Sequence, residues 1–193
     1  MKWHFWLGYG TLGMLVFRII WGVVGPRHAR FLSFLRGPKT IFRYIRGLTG
    51  VNEALSSVGH NPLGGIMVIV MLLLAAFQTG TGLFATDDIA WSGPYNAAVS
   101  ASTAELLTRL HHRTFNFIWA AIGLHLAAIL YYSFVKKEYL VPAMLTGCKP
   151  AQVVPAEQAL VGSELWKAAI VIAVSGAVVY WVLSSAPPVS SGL

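Results

Sequence analysis

Six histidines stand in an otherwise apolar chain, at positions 4, 28, 60, 111, 112 and 125. Ionisable groups at membrane depth are costly and mark function by default, so their spacing is the first thing to read. His111 and His125 are fourteen residues apart, close to four helical turns, so they share one face of one helix. Along the axis they are separated by about 21 Å at ~1.5 Å per residue. Imidazole nitrogen is an axial ligand for haem iron, and a pair of imidazoles makes a six-coordinate site suited to electron transfer. Two such residues stacked on one helix would serve two haems, one above the other. Taken alone the pair is a weak signal, because a membrane histidine is more often a hydrogen-bonded interior residue.

His4 adds to it. It opens an apolar segment at the same expected depth as His111, so the two could clamp one haem between their helices. His112 is the neighbouring alternative, turned away by about 100°; His111 is preferred because it shares the face of His125. Arg18 follows His4 by fourteen residues and so lies on its face, at the depth of His125. Arginine stays charged and donates only. It could meet a haem propionate through a charge-assisted fork, or extend its stem to the inner interface. Gly8, Gly80, Gly82 and Gly123 could admit either a flat macrocycle or a neighbouring helix. His28 reads as an ordinary exposed histidine of a basic loop.

These residues need helices to hold them. Four apolar stretches are long enough to cross a bilayer, which takes about 20 residues: 3–24, 63–84, 114–135 and 165–183. Gly25-Pro26 stops the first, Asn61-Pro62 caps and opens the second, and Pro187-Pro188 follows the fourth. The fold class expected is all-α: an integral membrane helical bundle of about four transmembrane helices, forming a single domain over 1–193. The loop 25–62 carries Arg27, Arg30, Arg36, Lys39, Arg43 and Arg46 against Glu53, and Lys136 and Lys137 follow the third stretch. Basic loops stay cytoplasmic, which puts 85–113, with Asp87, Asp88 and Glu105, outside. Helices one and three then run parallel. Phe31–Arg46 mixes apolar and basic residues, as an amphipathic segment on the inner leaflet would, and as a solvated basic loop also could.

Composition agrees and excludes other classes. The 193 residues are 56% hydrophobic and 11% charged, with mean hydropathy +0.64, against about 25% charged in soluble domains. The net charge of +7 gathers in one inter-helix loop, which implies topology and anionic lipid rather than nucleic acid. One cysteine, Cys148, builds neither an iron–sulfur cage nor an internal disulfide. No carboxylate lies within the expected spans, which argues against a catalytic metal hydrolase. No repeat or broken span suggests a transporter. The N-terminus reads as a retained helix, because its apolar run is too long and lacks a small-residue cleavage site.

Several of these segments resemble one family. His-Phe-Trp-Leu-Gly-Tyr at 4–9 and Phe-Arg-Ile-Ile-Trp-Gly at 17–22 are similar to the second membrane helix of bacterial cytochromes b561. That family is related to the b-type cytochrome subunits of nickel–iron hydrogenases. Gly-Pro-Arg-His-Ala-Arg-Phe at 25–31, Gly-His-Asn-Pro-Leu-Gly-Gly at 59–65 and Leu-His-His-Arg-Thr-Phe-Asn at 110–116, running on to Leu-His at 124–125, extend the likeness in order and spacing. The final helix resembles an extra helix of some members.

The resemblance implies haem b held by histidine pairs in the bacterial inner membrane. It also implies electrons passing between the quinone pool and a redox partner, such as a soluble or periplasmic cytochrome c. His4, His111 and His125 match ligand positions. Members of the family usually begin with another helix carrying a further ligand at the depth of His125. Without it the expectation is one haem, between His4 and His111; with it, two. His60 is the remaining histidine at the inner mouth, and it reads as too shallow to be a ligand. His60-Asn61-Pro62 could instead meet a quinone head group, although helix capping alone explains Asn61 and Pro62. The alternative to an electron carrier is a haem-free anchor or assembly subunit of a respiratory complex.

Overall fold

A computed structural model describes residues 1–48, 59–138, 140–149 and 164–188, together with Val154 and Gly162. Among the described residues are seven α-helices: α1 Lys2–Val24, α2 Phe31–Phe34, α3 Pro38–Leu48, α4 Pro62–Gly82, α5 Ala101–Leu130, α6 Leu140–Thr146 and α7 Leu165–Ser184. No strand occurs among the described residues. Among the described residues four helices are long and apolar enough to cross a membrane: α1, α4, α5 with its continuation to Val135, and α7. The chain is therefore an all-α, multi-pass membrane bundle.

Local chemistry sets the ends. Asn61 caps α4 by accepting from the Gly64 N–H at 2.7 Å, with Pro62 in the first turn. Ser100 caps α5 in the same way through the Thr103 N–H at 3.3 Å. α5 therefore begins at Ala101 and not near Thr114, so much of the expected outer loop 85–113 is helix. Hydropathy concealed this start, because Glu105, Arg109 and Arg113 make the first turns polar. The Glu105–Arg109 ion pair supports those turns across one helical repeat. At its other end α5 passes into a π-helical turn, Tyr131–Val135. The basic loop 25–62 is likewise partly helical, since it contains α2 and α3; Glu53 lies outside the described residues.

α1 packs on α4 and α7, and α4 packs on α5. α1 and α5 share no comparable packing. At one end of the bundle Phe5 of α1 meets Trp91 of the α4–α5 connection, and the Tyr95 hydroxyl donates to the Val182 carbonyl of α7 at 2.6 Å. At the other end the α1–α4 connection meets the close of α5, where the Tyr44 and Tyr132 hydroxyls are 2.8 Å apart. α1 and α5 thus run the same way, with α4 and α7 opposed. The interior is thin. Leu15, Phe34, Tyr44, Ala104, Tyr132 and Val171 are buried, as are Thr81, Thr114 and Ser175, while Trp3, Trp6, Met14, Trp119 and Trp181 point outward. A bilayer is a medium in which such apolar faces need no protein cover.

Candidate functional site

The first turn of α1 and the second quarter of α5 converge at the end that carries the α4–α5 connection. His4 and His111 face each other there, ring centres 5.8 Å apart and planes at 79°. His112, the alternative on the neighbouring face, is exposed.

The His111 ring is fixed from α4. Its Nδ1 lies 3.0 Å from the Gln78 carbonyl oxygen and 3.2 Å from Thr81 Oγ1. A carbonyl only accepts, so Nδ1 carries the proton. The Thr81 hydroxyl donates to the Phe77 carbonyl at 2.8 Å, leaving a lone pair to share the Nδ1 proton. Nε2 therefore holds the imidazole lone pair, and the Gln78 side-chain amide donates to it at 3.1 Å. An N–H held on a backbone carbonyl is how a ligating histidine is usually oriented, and it raises the basicity of the other nitrogen. Gln78 Oε1 is buried without a hydrogen-bond partner.

Two glycines make this arrangement possible in different ways. A Cβ at Gly82 would stand 2.9 Å from His111 Cε1 and 3.3 Å from Nδ1, so the imidazole occupies the room that the missing side chain leaves. Gly8, one turn past His4 on the same face, has nothing within 4 Å of its Cβ position. No neighbouring helix uses that gap. Gly123 is also open, but it is exposed and nearly opposite His125 around α5, so it contributes nothing there.

The residues fit a haem at this end. Two imidazoles that would share one iron must approach closely across a helix interface, and the ring centres of His4 and His111 stand 5.8 Å apart. The Gln78 amide, 3.1 Å from Nε2, would have to turn away for that nitrogen to meet iron; the open surface over Gly8 and the sparse packing between α1 and α5 suit a flat apolar macrocycle.

The opposite end is built differently. Arg18 donates to the Ala29 carbonyl at 3.1 Å, and its guanidinium carbon lies 4.9 Å from the Phe31 ring centre and 5.9 Å from that of Phe34. The arginine thus clasps the loop after α1. His60 packs on Phe34, ring centres 4.9 Å apart. Burial pushes His60 below its ordinary value, helped by the charges of Arg18, His125 and Lys149. His125 is half-buried on α5. His60 meets Arg18's surroundings through Phe34, whose ring centre lies 5.9 Å from the guanidinium carbon, a neighbourhood that no pattern of spacing reveals. Gln78 was missed as well, because its contribution is mainly a backbone oxygen. The Gly82 gap four residues later was its available signal.

The chain is thus a multi-pass helical bundle in which α1 and α5 each bring a histidine to one end. The profile of the prokaryotic cytochrome b561 family matches residues 1–147, and the chain belongs to that family. The family is one of membrane b-type cytochromes in electron transfer. No curated protein and no solved structure matches the chain.

Proposed function

We propose that this chain holds haem b between His4 and His111 and carries electrons between the quinone pool and a redox partner outside the bacterial inner membrane. The observation that supports this most is the approach of the two imidazoles at 5.8 Å, with His111 Nδ1 committed to the Gln78 carbonyl. Bound haem supplies a one-electron couple, and bis-histidine ligation keeps iron six-coordinate, favouring electron transfer over oxygen chemistry.

The chain's own residues do the rest. Gln78 and Thr81 orient the His111 ring. Gly82 admits it, and Gly8 leaves the α1 surface open. His125 is the ligand candidate toward the inner end, and Arg18 is the propionate candidate there, its guanidinium already turned into the bundle end by Ala29. His60 and Asn61 stand at the same end, where a quinone head group could accept or donate a hydrogen bond. On the outer side Asp87 is preorganised by the backbone N–H groups of Trp91, Ala90 and Ile89, at 2.8–3.1 Å. With Asp88 it presents negative charge to a basic partner such as a cytochrome c, in a salt-dependent contact, while Glu105 is paired with Arg109.

The test is haem per chain, by pyridine haemochrome and reduced-minus-oxidised spectra, in detergent. His4→Ala and His111→Ala are expected to remove the same haem, and His125→Ala to leave it. A chain that binds no haem in membranes supplied with it would instead be an anchor subunit. Unchanged quinol-driven reduction in His60→Ala would withdraw the quinone role from that residue.

A further inference from the structure

α3 carries a second surface that the electron-transfer reading does not use. At about 100° per residue, Lys39, Arg43 and Arg46 fall together on one side, and Ile41 and Tyr44 fall on the other. Tyr44 is buried and shares its hydroxyl hydrogen bond with Tyr132 at the close of α5. That contact fixes the rotation of α3, so the bases face away from the bundle. Lys39 and Arg43 are exposed, and Arg46 lies over the Phe42 ring at 4.4 Å, itself exposed. Between the buried side and the basic side come Ile45 and Phe42, 44% and 56% exposed. Leu32 on the preceding α2 is 92% exposed.

The surroundings decide what covers this face. α3 lies between the end of α1 and the start of α4, two membrane-spanning helices, so it sits where the bilayer meets water. Passing around it, the surface changes from bundle contact, through exposed apolar rings and chains, to guanidinium and ammonium groups. That sequence matches a helix lying in an interface, with its apolar flank in the acyl boundary and its bases at headgroup depth. Arg36 at the start of the segment, and Lys136 and Lys137 beyond the π-helical turn, are exposed and add positive charge at the same end. An acidic protein surface would match the bases but would leave Phe42, Ile45 and Leu32 in water.

We propose that the basic face of α3 is a docking surface for anionic phospholipid, with Lys39, Arg43 and Arg46 on the phosphates and Phe42 and Ile45 in the acyl boundary. Each base near an anionic surface contributes about five-fold in affinity. The experiment is native mass spectrometry of the full chain in detergent, titrated with phosphatidylglycerol or phosphatidylcholine. The unmodified chain should retain phosphatidylglycerol preferentially. K39Q/R43Q/R46Q should lower that retention at least ten-fold. K39R/R43K/R46K should keep it, and K2Q/R109Q at the opposite end should leave it unchanged. Circular dichroism checks that each variant is folded. Equal retention of the two lipids by the unmodified chain would overturn the proposal. So would undiminished phosphatidylglycerol retention in a folded K39Q/R43Q/R46Q chain, or a loss in the charge-preserving variant as large as in the neutral one.

Discussion

Gly82→Ala separates haem binding from helix stability. The added Cβ would stand 2.9 Å from His111 Cε1, while ordinary contact begins near 3.4 Å. The imidazole must therefore retreat by at least 0.5 Å, the difference of those two distances. Its Nδ1 is 3.0 Å from the Gln78 carbonyl, so a retreat along that bond takes it to the edge of hydrogen bonding. Losing the bond costs about 1 kcal/mol, and disturbing the group that orients a metal ligand typically costs 10–100-fold in affinity. The backbone effect has the opposite sign, since alanine favours helix over glycine by up to about 1 kcal/mol. The expected variant is as thermally stable as the parent, or slightly more so, yet binds haem at the His4–His111 site 10–100-fold more weakly. Gly80→Ala is the control, because nothing lies within 4 Å of its Cβ position. The assay is haem per chain after dilution into haem-free detergent, beside a circular-dichroism melt of the haem-free chain. Full haem retention in Gly82→Ala, or an equal loss in Gly80→Ala, would refute the role given to the gap.

Other consequences can be measured in the same preparations. Thr81→Val removes the secondary partner of His111 Nδ1 but leaves the Gln78 carbonyl, so haem is retained with at most a few-fold loss in affinity. Tyr44→Phe strands the Tyr132 hydroxyl at a buried contact and should cost about 1–3 kcal/mol in unfolding; adding Tyr132→Phe should recover part of it, read as a double-mutant cycle. Asp87 is held below its ordinary range by the N–H groups of Trp91, Ala90 and Ile89. Its turn is therefore intact above the unfolded carboxylate value of about 4 and is lost as pH falls through the depressed folded value. Amide exchange at those three residues should accelerate only at that acid end. His60 is likewise depressed. The inner end keeps its full stability above the unfolded histidine value of about 6.5 and loses it as pH falls toward the lower folded value. NMR titration of His60 should show a midpoint below 6.5, moving upward in Arg18→Gln.

The spans were legible because the bilayer demands long apolar runs: the first was read as 3–24 and is Lys2–Val24, and the last as 165–183 and is Leu165–Ser184. The apolar stretch 114–135 marks the later part of α5, a capped helix that starts in polar residues ahead of it. Ser100 and the Glu105–Arg109 spacing were the local signs of it. The approach of His4 to His111 followed from helix periodicity and loop charge together, neither of which needs tertiary information. The Gln78 carbonyl, the clasp of Arg18 on Ala29 and the Tyr44–Tyr132 bond did not, since each depends on how connections fold between spans. Gly80 and Gly82 looked alike in the sequence, and only the neighbouring imidazole distinguishes them.

The π-helical turn at Tyr131–Val135, closed by the Lys136 N–H on the Tyr131 carbonyl at 3.2 Å, works as a terminator. Its hydrogen bond spans five residues instead of four, and the chain leaves helical geometry directly after it, with Lys137 at φ 53°. Lys136 and Lys137 are therefore not placed by the 3.6-residue repeat that aligns His111 with His125. Tyr132, inside the turn, ties the end of the span to α3 through the Tyr44 hydroxyl.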